Sequence, residues 1–288
     1  MPDEIAALPF PDPVSRVARI AWTDDGIIPG TRSLAQETPV ALTYNGTTQA
    51  VMMASPRDIA DFALGFSLTE GIIADAADLL SLDVIAVEDG IEARMWIADD
   101  KMRLLSARRR HLAGPTGCGL CGMESLSEAV RPSAQVSSAA RLTSDQVREA
   151  MARLAPMQVL NIETRAVHAA GYYEPERGLV AVREDVGRHN ALDKLVGHVR
   201  GGGLAPPADP AGGVLLLTSR VSIEMVQKAA VLGVGIVAAV SAPTALAVRT
   251  AHRAGMTLAA IVRGDGFEVF THPARIIAGP GQDHTDVD

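Results

Sequence analysis

Cysteine is nearly absent from this 288-residue chain; only Cys118 and Cys121 occur. Two thiols cannot staple a disulfide-rich secreted fold or fill a four-cysteine zinc site. They point to a reducing compartment, the cytoplasm. Aromatic residues make up 3% of the chain, so the core must be built from Ala, Val, Leu, Ile and Met, in a composition that is 48% hydrophobic. Positive charge is in deficit, with 26 Lys and Arg against 34 Asp and Glu. A general nucleic-acid or anionic-membrane binder needs a basic field, so neither partner is expected, although a local basic pocket stays open. The start Met1-Pro2-Asp3-Glu4-Ile5 has no basic stretch leading into an apolar run, and no secretory leader is expected. One segment imitates a membrane span: Ala229 to Val248 is uncharged for 20 positions, near spanning length. Gly233, Gly235, Ser241 and Pro243 divide it instead into a helix end, a buried strand and a capped helix start.

The length suits two domains of roughly 100–200 residues each. Residues 1–13 hold four prolines and read as a loose tail. Strand-like patterning follows from Val17 to Met53, and Asn45-Gly46 marks a tight hairpin. Ser55-Pro56-Arg57-Asp58 resembles a helix start with Ser55 as N-cap. Residues 83–105 suggest two further strand pairs punctuated at Asp89-Gly90 and Asp99-Asp100, and the Ser/Ala-rich stretch Arg131–Leu142 is the candidate linker. A β-rich N-terminal domain over 1–135 and an α/β domain over 136–288 are therefore expected. In the second part, Thr143 or Ser144 caps a helix, strands are expected at Val159–His168 and Gly178–Arg183, and Asp185 opens a helix. Leu192, Leu195, Val196 and Val199 give that helix its apolar stripe. Strand Val214–Thr218, a helix from Ser222, strand Gly235–Val240, a capped helix from Thr244 and the pair Thr257–Val262 with Phe267–Thr271 complete an alternation that implies a three-layer α/β sandwich.

Three segments carry the chemistry. Gly117-Cys118-Gly119-Leu120-Cys121-Gly122 sets two thiols among glycines, ahead of a helical pattern whose N-terminal dipole favours thiolate. A CxxC of this kind serves zinc binding, dithiol redox or sulfur carriage, or nothing at all. The run Arg183-Glu184-Asp185-Val186-Gly187-Arg188-His189-Asn190 lies at a strand-to-helix junction. There Arg183, Arg188 and Lys194 can hold phosphates and Asp185 can pair with His189 four residues on. The alternative is a capped, solvated helix start. Thr218-Ser219-Arg220-Val221-Ser222 is a second polar junction. In a parallel α/β sheet both would line one edge, where ligands bind. His168, within an apolar run, reads as a core histidine. Zinc nucleobase deaminases use H-x-E followed by P-C-x-x-C; here the only CxxC precedes His168 and His189, and Ser219 and Ser222 stand where cysteines would be needed. No resident metal is expected.

Taken together, the chain resembles the FdhD family of formate dehydrogenase accessory sulfurtransferases. The resemblance rests on Asn45-Gly46, on Leu64-Gly65-Phe66 through Thr69-Glu70-Gly71-Ile72-Ile73, and on the Cys118–Cys121 loop. It continues with Val167-His168-Ala169-Ala170, Glu184 through Lys194, Ser219 through Lys228, Ser241-Ala242-Pro243-Thr244 and Arg263-Gly264. Thr164-Arg165-Ala166 departs from the pattern, where a Thr-Gly-Gly-like turn is expected. The resemblance implies a cytidine deaminase-like α/β fold with an added β-rich N-terminal domain, and a homodimer. It implies a carrier that takes persulfide sulfur from an L-cysteine desulfurase and passes it to the molybdenum of bis-molybdopterin guanine dinucleotide, for a formate dehydrogenase catalytic subunit. Cys118 then bears the persulfide and Cys121 assists. The cofactor, a bound substrate, would lie on Ile261, Val262, Arg263, Gly264, Asp265 and Gly266, with Arg188, Arg220 and Ser219 from the neighbouring junctions. The other reading is a binding-only cofactor chaperone that transfers no sulfur itself.

Overall fold

The computed structural model describes residues 8–112, 133–205 and 209–279. Strands β1 (Val14–Thr23) and β2 (Gly26–Ala35) form a separate antiparallel hairpin that leaves Trp22 79% exposed. Strands β3 (Thr38–Tyr44), β4 (Thr47–Ala54), β5 (Leu79–Val87) and β6 (Gly90–Ile97) make a four-stranded sheet in the order β4-β3-β6-β5. The Asn45-Gly46 turn takes positive φ at both residues, the twist that suits a two-residue hairpin. Asn45 also clasps the end of β6: its side chain accepts from Ile97 N–H and donates to Ile97 C=O, each at 2.9 Å.

Helix α1 (Ile59–Thr69) follows β4, and α2 (Asp99–Leu112) follows β6. After the two-residue strand β7 (Leu142–Thr143) come α3 (Ser144–Leu154), α4 (Val159–Thr164), β8 (His168–Glu174) and β9 (Gly178–Asp185). Regular alternation then runs through α5 (Arg188–Arg200), β10 (Val214–Leu217), α6 (Ile223–Leu232), β11 (Ile236–Ala239), α7 (Ala245–Arg253), β12 (Thr257–Ala260) and β13 (Glu268–Thr271). A short β14 (Ile276–Ile277) pairs with β7. The main sheet has six strands in the order β13-β12-β11-β10-β8-β9. It is mixed: β10, β11 and β12 are parallel, while β8 runs antiparallel to both of its neighbours and β13 to β12.

Both faces of this sheet are buried. Leu215 and Leu217 point into a core shared with α5, α6, α1 and the four-stranded sheet; Val214 and Leu216 point into a second core with Val147, Ala150, Met151 and Leu154 of α3. The first core crosses position 135 without a break. The contact that joins its halves is the α1–α5 crossing, where a Cβ built on Gly65 would stand 1.7 Å from Asp193 O.

Several boundaries differ from the sequence reading, each for its own physical reason. Asp99-Asp100 opens helix α2, with acids in its first turn where the dipole favours them. Val159–Thr164 is helical because the Glu184 carboxylate accepts from Leu160 N–H and Asn161 N–H at 2.8 and 2.9 Å, a cap supplied from a distant strand. Helix α1 begins at Ile59, and Ser55 is instead buried, its Oγ accepting from Val186 N–H. Asp185 ends β9 rather than opening α5, whose N-cap is Gly187. Residues 133–141 are tied down, Val136 N–H bonding to Ala254 C=O at 2.9 Å. Ala229–Val248 divides as expected into the end of α6, β11 and the start of α7. No helix among the described residues is long and apolar enough to cross a membrane.

Candidate functional site

Strand direction decides what meets at the sheet edge. Because β8 is antiparallel to β9 and β10, its first residue, His168, lies at the same edge as the last residues of β9, β10, β11 and β12. That edge collects His168, the Asp185–Asn190 junction, the Thr218–Ser222 junction, Val240–Thr244 and the turn Ile261–Gly266. The junctions are laced together: Val240 N–H bonds to Leu217 C=O, Thr244 N–H to Val221 C=O and Ala169 N–H to Thr218 Oγ1, each at 2.9 Å.

The Ile261–Gly266 turn is strained at its head and open at its tip. Ile261 has φ 56, a left-handed conformation that a β-branched side chain adopts only under constraint. Arg263 N–H closes the turn on Gly266 C=O, and the Arg263 side chain donates to the carbonyls of Val240 and Val262. A Cβ on Gly264 or Gly266 would meet nothing within 4 Å. The fold therefore does not require those glycines, and they leave room for a ligand's close approach. A pocket of about 410 Å³ adjoins the turn, lined by Asp265, Gly266, Phe267, Arg148, Ser144 and Ile277 among others.

The Glu184–Lys194 run divides into two sets. Asp185 is fully buried: it accepts from Lys194 Nζ at 2.7 Å, Ser55 N–H at 2.9 Å, Gly187 N–H at 2.8 Å and Asn190 Nδ2 at 3.0 Å. Asn190 also donates to Met53 C=O, and Lys194 to Ser55 C=O. Asp193 accepts from Thr69 Oγ1 at 2.7 Å and from Lys228 Nζ at 2.9 Å. Arg183 is held by Asp61 at 2.7 Å. Asp185, Asn190, Asp193 and Lys194 thus lock α5 onto β4, α1 and α6, while Glu184 caps α4. Arg183 and Lys194 are engaged within the fold and do not form a phosphate cradle, and Asp185 pairs with Lys194, not with His189.

Arg188 and His189 are the remainder. Five buried side-chain polar atoms lack a hydrogen-bond partner among the described residues; three are Arg188 Nε, His189 Nε2 and Ser222 Oγ. Burial, then the nearby cations Arg188 and Lys228, push His189 down to about 4. Burial and Arg188 also lower His168, which is half-buried. Burial would raise Glu224, but Ser222, its own N–H, His189 and Arg188 bring its carboxyl below the usual range. Near neutral pH the cluster therefore holds two neutral imidazoles, a guanidinium and an ionised carboxylate. Spacing alone does not single out Glu224; its signal is an acid in the first turn of α6, two residues beyond Ser222. Ser219 is buried with its hydroxyl donating to Arg220 C=O, while Arg220 is exposed. Cys118 and Cys121 lie outside the described residues. Within those residues, no three His, Cys, Asp or Glu side chains gather closely enough to hold a metal ion.

The model of the FdhD/NarQ family matches residues 35–277. The chain belongs to that family. Among its relatives, the sulfur carrier protein FdhD of Agrobacterium fabrum is 51% identical over 91% of this chain and 96% of that protein. The protein of the same name from Cupriavidus necator is 47% identical, over 88% and 87%. A crystal structure from Desulfotalea psychrophila, assigned to a formate dehydrogenase accessory protein, shares the fold with a TM-score of 0.73 at 24% identity, covering 92% of this chain and all of that one. The family match embraces every segment of the sheet edge, the CxxC and both polar junctions.

Proposed function

We propose that the chain is a cytoplasmic sulfur carrier for formate dehydrogenase maturation. Cys118 takes a sulfur from an L-cysteine desulfurase persulfide and becomes Cys118–S–SH, the donor leaving as a thiolate. Cys121 thiolate then attacks the Cys118 sulfur. The S–S bond to the terminal sulfur breaks, hydrosulfide leaves for the molybdenum of bis-molybdopterin guanine dinucleotide, and a Cys118–Cys121 disulfide remains. The two thiols supply two electrons, and a dithiol reductant resets them. The observation that carries this reading is the family membership, with relatives about 50% identical that are named sulfur carrier proteins.

The sheet edge supports the cofactor half of the reading. The turn after β12 stands two strands from the junction after β10, about 10 Å at the usual strand spacing. An extended dinucleotide can reach both from one site. The order β9-β8-β10-β11-β12, with helices on both faces, supports a cytidine deaminase-like layering in which Ser219 and Ser222 replace zinc-binding cysteines. We also read the carrier as a homodimer.

The test is mass spectrometry after incubation with a cysteine desulfurase and cysteine. One added sulfur on Cys118 is expected. Labelling only on Cys121 overturns the assignment of Cys118, and labelling on neither removes the carrier role. A Cys118→Ala variant that still binds cofactor and still matures an active formate dehydrogenase would establish the chaperone reading instead.

A further inference from the structure

The polar groups of the Glu184–Lys194 and Ser219–Lys228 segments are nearly all consumed by the fold, and what they leave over is specific. Arg188 Nε, His189 Nε2 and Ser222 Oγ are buried atoms without hydrogen-bond partners among the described residues. Native proteins pair most buried polar groups, so three such atoms at the starts of two packed helices call for a ligand. The Glu224 carboxylate, in the first turn of α6 two residues beyond Ser222, is the fourth member: Ser222, His189 and Arg188 all act on it, although Ser222 Oγ closes no hydrogen bond among the described residues. His168, at the same sheet edge, also senses Arg188. Lys228 is not available to a ligand, being held by Asp193, Glu70 and Thr69 at 2.9–3.0 Å.

The donor and acceptor types narrow the ligand's class. A phosphate would want donors only, and an ionised carboxylate in the cluster opposes a dianion. A donor set beside a carboxylate suits a heterocycle that presents a carbonyl oxygen next to N–H groups. Arg188, Ser222 and the Nε2–H tautomer of His189 donate to the oxygen, and Glu224 accepts from the ring N–H and the exocyclic amine. We propose that Arg188, His189, Ser222 and Glu224 form a site for a 2-amino-4-oxopyrimidine edge, the edge shared by guanine and pterins. This deepens the proposed function and rests on it, since the proposed substrate carries both rings. It is separate from the Ile261–Gly266 turn.

Titration calorimetry with GDP, IDP and biopterin on the full chain tests the site. IDP lacks the exocyclic amine, and biopterin carries the same edge without a nucleotide. Wild type should favour GDP over IDP, or bind biopterin. Glu224→Gln should abolish the GDP preference or weaken biopterin, and Arg188→Gln should weaken the ring that occupies the site, in each case by about tenfold or more. Sensitivity confined to GDP places the guanine ring here, and sensitivity confined to biopterin places the pterin. Circular dichroism and a urea midpoint establish that each variant is folded; His189→Gln gives a second, milder probe. Unchanged GDP, IDP and biopterin affinities in folded Glu224→Gln and Arg188→Gln proteins overturn the site. If GDP binding then still falls in Arg263→Ala, the cofactor reading survives without it.

Discussion

Gly65 of α1 and Gly197 of α5 meet backbone to backbone: a Cβ on Gly197 would stand 1.9 Å from Asp61 O and 2.8 Å from Gly65 N. Neither contact is the far end of a flexible side chain, so the helices themselves would have to part. The α5 junction is positioned by this crossing. Gly197→Ala is expected to destabilise the protein by about 3 kcal/mol or more, at the upper end of the usual overpacking cost. A urea midpoint unchanged from wild type would show that the crossing can yield.

A second lock holds the same helix. Lys228 reaches Asp193 at 2.9 and 3.0 Å, and both side chains are buried. Lys228→Met leaves Asp193 without its cation, at an expected cost of about 3–5 kcal/mol. Adding Asp193→Asn removes the uncompensated charge and should restore part of that loss. A double variant no more stable than Lys228→Met alone, by urea unfolding, would contradict a charge-based explanation.

These locks show where sequence reading succeeds and where it stops. The Asn45-Gly46 hairpin, the α5 stripe Leu192–Leu195–Val196–Val199, the Thr143 cap and the Gly233 stop all depend on residues a few positions apart, and the structure places each as read. Asp99-Asp100 aside, the errors involve partners far along the chain. Val159–Thr164 carries strand-forming residues, but Glu184 caps it as a helix. The Glu184–Lys194 run looks like an anion cradle until Ser55, Met53 and Thr69, each more than 120 positions away, claim its polar atoms. Gathering of the junctions at one edge could be read from the alternation. The mixed strand directions could not, because β8 and β9 carry no local mark of orientation.

The departure at Arg165 has a backbone consequence. Arg165 closes α4 in the left-handed region, at φ 58 and ψ 30, and is exposed. A glycine takes that conformation without the usual cost of about 1–2 kcal/mol, though it adds freedom to the unfolded chain worth about 0.4–1 kcal/mol. Arg165→Gly is therefore expected to stabilise by about 0.5 kcal/mol, and Arg165→Val to destabilise by about 1 kcal/mol or more. Thermal unfolding that ranks valine at or above glycine would contradict this.

Acid should weaken the protein before its carboxylates titrate. His189 lies near 4 when folded against an unfolded value of about 6.5. Between these values the unfolded chain binds more protons, so stability rises with pH; it falls as pH drops from 6.5, and the full penalty is present below 4. The groups around His189 are Arg188 and Lys228, which oppose its protonation, and Glu224 and Glu70, which favour it. His168 and His198 are also lowered, burial being the main cause for each, and they act with the same sign. The lowered carboxyl of Glu224 matters only below its unfolded range of about 4.3. Urea unfolding at pH 7 and pH 5 should thus show wild type losing stability toward pH 5. His189→Asn, which has no titrating ring, should lose less across the same interval. Equal losses in the two proteins would mean that His189 takes up its proton in the folded state as readily as in the unfolded one.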